Sequence, residues 1–209
     1  MTFSPRKPAP GMSARRFAGR PLLTISLIAL NFICWFAVAA SYHLSPFATH
    51  NSTLLLKVGA VNGELLRAGQ WWRLCSSQFL HVHFLHLVFN MAALLLLGYA
   101  VEDKHGSWRF ALAFAACGIA GQFIGVLAAP ELVSSGASQA LMGLVGWVII
   151  EHLRQYRLNK LILLGALVVA AVQVVLDVSA SGGIKAGHLG GFFIGVMLNL
   201  LMSRQPKRT

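Results

Sequence analysis

The chain has 209 residues, 56% of them hydrophobic and only 11% charged, less than half the ~25% charged share of a soluble domain. That composition excludes a body that meets water on every side, and the length suits one domain without a separate soluble catalytic unit. A net charge of +11 does not indicate nucleic acid, because the basic residues flank apolar segments instead of striping one face.

Residues 1–20 are basic and rich in Pro, Ser and Ala, and read as a short cytoplasmic tail. The run 22–41 is long enough to cross a hydrocarbon core of about 30 Å at ~1.5 Å per residue. Its end, Ala37-Val38-Ala39-Ala40, looks like a signal-peptidase site. A signal core spans only about 7–15 residues, however, so the run is read as a retained span. Residues 41–80 form a long mixed connection in which Leu54-Leu55-Leu56 is too short to cross. Trp71-Trp72 beside Arg73 suit the headgroup interface, so this first loop is expected to lie along the outer interface as short helices. Further apolar runs occupy 84–101, 108–127, 138–153, 161–178 and 188–202, with Pro130 and Gly136 bounding the loop before the fourth span. The expected membrane domain is therefore 21–203, with six spans, a basic tail at 204–209 and both termini on one side. Cys34, Cys75 and Cys117 are scattered and odd in number, which indicates neither a disulfide framework nor a zinc site.

Charge assigns the side. With the amino terminus inside, every Lys and Arg lies in an inner segment except Lys57, Arg67, Arg73 and Lys185, which satisfies the positive-inside rule. Spans two, four and six then run inward from the outer face. His86, Ser138 and His188 lie near the starts of those spans, so all three are expected at similar depth. Polar groups at membrane depth are costly unless they face the bundle and find partners.

Ser138 begins a helix just after Gly136. Unpaired N–H groups at a helix start stabilise developing negative charge, and a serine hydroxyl needs an adjacent base to act as a nucleophile. The plainer alternative is a serine that packs or caps a helix. His188 is the best base candidate. It adjoins Gly187, Gly191 and Gly195, a four-residue repeat that leaves one helix face bare for close contact. Without the serine, His188 reads as an interhelical histidine with a satisfied hydrogen bond. His86 and Asn90, four residues apart, share a helix face and suit donation to an oxyanion, or act as polar glue. His81, His83 and His86 invite a metal reading, but no carboxylate joins them, and no metal or cofactor is expected. Nor is there a His-Glu-x-x-His motif or a pair of intramembrane aspartates. Asp177 lies alone at the outer end of span five, and no acid is placed to orient His188. A Ser–His dyad is therefore expected in preference to a triad.

These elements together resemble the rhomboid family of intramembrane serine proteases over about residues 70–200. The resemblance rests on Trp72-Arg73, on His81-x4-His86-x3-Asn90, and on Ala100-Val101-Glu102 followed by Gly106. It also rests on Gly136-x-Ser138 and on His188-x2-Gly191-x3-Gly195. It implies an all-α polytopic membrane protein, a compact bundle of six transmembrane helices with a long interfacial first loop and cytoplasmic termini. In that bundle a short fourth helix lifts the serine to the base of a water-filled cavity open to the outside. By position, Ser138 becomes the nucleophile and His188 the general base. His86, Asn90 and the Ser138 amide become oxyanion stabilisers. His81 takes a structural or water-handling role, and Arg73 and Glu102 structural ones. Gly136 permits tight approach to the serine. One position departs: the family usually has Gly after the serine, and this chain has Gln139. That amide is expected either to crowd the contact between spans four and six or to turn aside and line the cavity.

The expected function is an endopeptidase acting on single-span membrane proteins near the outer face of a bacterial inner membrane, with lipids and not nucleic acid as its other partners. One alternative is a catalytically inactive rhomboid-like protein that binds transmembrane helices. Another is a small transporter or haem protein with His86 and His188 as ligands.

Overall fold

A computed structural model of the chain describes residues 20–155 and 159–202. The tails expected at 1–20 (apart from Arg20) and 204–209 lie outside them, as does the inner-loop residue Arg157. The described residues form α1 (Leu22–Ser41), α2 (Ser52–Val58), α3 (Gly63–Arg67), α4 (Arg73–Ser76), a 3-10 turn (Ser77–Phe79), α5 (Phe84–His105), α6 (Ser107–Ala128), α7 (Ser138–Gln155), α8 (Lys160–Ser181) and α9 (Ala186–Met202). Each apolar run has become one long helix, and the first loop carries the short ones. Helices α1, α5, α6 and α8 are long and apolar enough to cross a bilayer, with mean hydropathies of 2.2, 2.0, 2.0 and 2.6. Helix α9 is apolar but has 17 residues, and α7 has 18.

The ends follow from local chemistry. Asn51, Asn62 and Asn159 accept from Leu54, Leu65 and Leu161 N–H at 2.9, 3.0 and 2.9 Å, satisfying donors at the starts of α2, α3 and α8. Gly106 and Gly182 end α5 and α8 at φ +85° and +74°, a backbone region that side chains with a Cβ avoid. Helix α5 thus runs one turn past its apolar stretch, through Glu102 to His105.

Helix α7 is the axis of the molecule. Every residue from Gly136 to Val148 is buried, as expected for a helix enclosed on all sides. Close packing on α9 comes from the glycine stripe. A Cβ at Gly191 would run into the Gln139 carbonyl, and one at Gly195 into the Gly143 carbonyl. Gly187 meets α6 instead, where a Cβ would lie 2.7 Å from the Gly121 carbonyl oxygen.

Two buried carboxylates tie the helices together. Glu102 accepts from the Leu23 and Thr24 N–H groups at 3.0 and 2.8 Å and from the Thr24 and Ser107 hydroxyls, both at 2.7 Å. It caps the start of α1 and joins α1, α5 and α6. Glu151, well along α7 from Ser138, meets Lys104 Nζ at 2.5 Å and accepts from Asn199 Nδ2 at 2.6 Å, linking α5, α7 and α9.

Candidate active site

Ser138 is the first residue of α7, and the segment before it is fixed from several sides. Gly136 has φ +111°, a conformation that itself selects glycine. A Cβ there would also meet His86 Cε1 at 3.0 Å and Asn90 Nδ2 at 3.5 Å. Gly136 thus lets the two polar side chains of α5 close up beside the serine turn. Its N–H donates to the Ser77 carbonyl at 2.9 Å, and its carbonyl accepts from Gln122 Nε2 at 3.2 Å. Two residues earlier, Ser134 exchanges backbone hydrogen bonds with Val61 at 2.8 and 3.3 Å.

That last contact explains Arg73. The guanidinium, 8% exposed, donates to the Leu56 and Ala60 carbonyls at 2.6 and 2.8 Å and to Gln70 Oε1 at 2.6 Å. It lies over the Trp72 ring, 4.6 Å from its centroid. Arg73 therefore holds the 56–60 segment, and the adjoining Val61 holds the serine loop.

Ser138 and His188 are 4% and 3% exposed, and Ser138 Oγ lies 2.7 Å from His188 Nε2. The two lie fifty residues apart in sequence, and the bare contact between α7 and α9 brings them together. They line a cavity of about 280 Å³ with His86, Gln139, Gln173 and Lys185 among its walls. Asn90, 4% exposed, stands behind that wall with its Nδ2 turned towards Gly136. Its Nδ2 makes no hydrogen bond among the described residues. His81 is not a cavity residue. It is buried at 1% exposure, and its ring meets His86 edge-on with centroids 5.1 Å apart. Exposed His83 pairs with the Thr49 hydroxyl at 3.2 Å. Glu102, Gly191 and Gly195 serve the helix contacts described above.

The structure corrects one expectation from sequence. Asp177 does not lie alone: its Oδ2 is 2.6 Å from His188 Nδ1, so an acid is in place against the imidazole. Gly182 turns the chain sharply after α8, returning the start of α9 beside the end of α8. The available signal was the cost of an unpartnered acid in a span, combined with that short connection. Gln122 and Ser134 were also not foreseen. Ser134 Oγ donates to Gln122 Oε1 in a short contact, and Gln139 Nε2 donates to both at 3.4 Å. Gln139 therefore turns aside and lines the cavity, while its backbone keeps the contact with α9.

Comparison with known proteins agrees with this architecture. Residues 68–205 match the family model described as Rhomboid domain. The chain is 32% identical over 187 residues to Rhomboid protease GluP of Bacillus subtilis (strain 168), covering 87% of this chain and 36% of that protein. It is 29% identical over 167 residues to RHOMBOID-like protein 6, mitochondrial, of Arabidopsis thaliana, covering 78% and 54% respectively. It is also 29% identical over 160 residues to Rhomboid-like protease 1 of Toxoplasma gondii, covering 74% and 55%. The chain thus spans from about a third to just over half of the length of these relatives. With its long apolar helices and this match across most of its length, the chain is an integral membrane protein of the rhomboid family.

Proposed function

We propose that the protein is an intramembrane serine endopeptidase cleaving membrane-anchored proteins near the outer membrane face. The observation that carries this reading is the 2.7 Å approach of Ser138 Oγ to His188 Nε2 at the base of an open cavity. His188 Nε2 takes the hydroxyl proton as Ser138 Oγ bonds to the scissile carbonyl carbon. The developing oxyanion is met by the Ser138 N–H, His86 and Asn90. Collapse expels the amine, which receives the proton from His188, and water then hydrolyses the acyl-enzyme by the same path. Asn90 Nδ2, buried without an acceptor among the described residues, supports the oxyanion role, because an unpaired buried donor costs free energy until an acceptor arrives.

The same reading places six spans in the bilayer with both termini inside and the cavity facing out. Its support is the near confinement of Lys and Arg to the inner segments. Single-span membrane proteins are the proposed substrates, and a bacterial inner membrane the proposed location. The test is fluorophosphonate labelling of purified protein. Wild type should label and Ser138→Ala should not; equal signals would instead favour a rhomboid-like protein that grips transmembrane helices without cutting them.

A further inference from the structure

The chain of contacts that begins at Ser138 does not stop at the imidazole. His188 Nδ1 lies 2.6 Å from Asp177 Oδ2, and both residues are buried, at 3% and 1% exposure. Asp177 is itself held in place. Its Oδ1 accepts from Gln173 Nε2 at 3.1 Å, one turn earlier on α8, and its Oδ2 accepts from the Lys185 N–H at 3.1 Å. Lys185 Nζ stands 3.9 Å from Oδ1. Contacts from both sides therefore fix where the carboxylate points.

A carboxylate against Nδ1 decides which nitrogen keeps the proton of a neutral imidazole. The proton stays on Nδ1, where it is donated to the carboxylate, and the Nε2 lone pair is free to face a hydroxyl. The opposite tautomer would put a proton on Nε2, against Ser138 Oγ, and could not accept one.

We infer that Asp177 is a positioning residue for the His188 base, so that a Ser138–His188–Asp177 chain carries out the reaction. This rests on the protease reading above. In the attack step the Ser138 O–H bond breaks, an N–H bond forms at His188 Nε2, and Oγ bonds to the carbonyl carbon. Asp177 takes no proton; it faces the imidazolium that results and offsets its charge. Among the described residues, Lys185, in the turn before α9, and His86, on α5 across the cavity, are charged or titratable side chains that face this pair.

The competing account is that Asp177 merely ties α8 to α9. The two separate in full-length protein in lipid nanodiscs, with 15N-histidine NMR and cleavage of a co-reconstituted single-span substrate. In wild type, His188 should carry its proton on Nδ1. In Asp177→Asn, that preference should be lost and kcat should fall at least ~100-fold, with KM changed less than about threefold. Asp177→Glu, which keeps the carboxylate, should recover part of the rate. A tie between helices predicts lower thermal stability with an unchanged tautomer and kcat, and that result would overturn the inference. So would a wild-type spectrum with the proton on Nε2, which needs no variant to fold. Wild type that neither labels nor cleaves would remove the protease reading itself, while its spectrum would still report on the Asp177 pairing.

Discussion

Gln139 directly follows Ser138, where the family resemblance leads one to expect glycine. Its side chain is 6% exposed, and its Oε1 lies 3.3 Å from Ser138 Oγ. A hydroxyl has one proton to give, and the 2.7 Å contact to His188 outcompetes the 3.3 Å one. Gln139 therefore need not silence the serine. Its packing is matched on the facing helix, since a Cβ at Gly121 would lie 2.7 Å from Gln139 Cβ and 2.8 Å from the Gly187 carbonyl. Gly121→Ala should destabilise the protein by about 1–3 kcal/mol, the usual cost of overpacking. Adding Gln139→Gly should recover part of that loss, because one of the two close contacts disappears and the Gly187 contact stays. A double-mutant cycle on thermal stability measures the coupling; strict additivity would show that the two side chains do not meet. Fluorophosphonate labelling of Gln139→Gly should stay within about threefold of wild type, because the Ser138–His188 pair is untouched.

At the scale of helices, the proposed activity depends on how closely α9 approaches α7. His188 sits almost two turns before Gly195, whose face lies on the Gly143 carbonyl. Gly195→Val would force the two backbones apart, and a shift of about 1 Å is enough to cost a catalytic contact ~100-fold. Labelling of Gly195→Val should fall at least tenfold even though neither Ser138 nor His188 is altered; labelling at the wild-type rate would show that the stripe is not what holds the pair. The stripe was legible in sequence because its four-residue repeat is local to one helix. So were the long helices, from their apolar runs, and Ser138 and His188 from their place at helix starts. The Asp177–His188 pairing was not, because it depends on how sharply the chain turns at Gly182. The route from Arg73 through Ala60 and Val61 to Ser134 was hidden for a similar reason. It joins the first loop to the serine loop across more than seventy residues, and no periodicity records such a contact. Arg73→Ala should destabilise the protein by at least about 2 kcal/mol, because the Leu56 and Ala60 carbonyls lose a charged donor. Thermal unfolding of the purified variant measures this, and a change below 0.5 kcal/mol (roughly the surface-substitution range) would remove Arg73 from the support of the loop.

Across the whole molecule, the first loop packs its own histidines behind the site. His81 is buried beside His86, and His50, 2% exposed, stacks on Trp35 with ring centroids 4.1 Å apart. Burial foremost, then the neighbouring charges of His86 and His50, holds the His81 imidazole well below its ordinary range. Burial also lowers His50, partly offset by a hydrogen bond with the His81 backbone. Both are therefore neutral in the folded protein at pH values where the unfolded chain has begun to bind protons. Below about pH 6.5 the unfolded state binds more protons than the folded one, so stability must fall as pH falls. Each histidine so held contributes up to about 1.4 kcal/mol per pH unit, until the pH reaches its folded value. Above that window the two make no pH-dependent contribution. The melting temperature of wild type in detergent should thus decline steadily from pH 6.5 towards pH 5. His81→Gln removes one titrating group while leaving Ser138 and His188 in place, so its melting temperature should decline less steeply over the same range. An acid slope equal to that of wild type would show that His81 is already protonated in the fold, contrary to its burial beside His86 of α5.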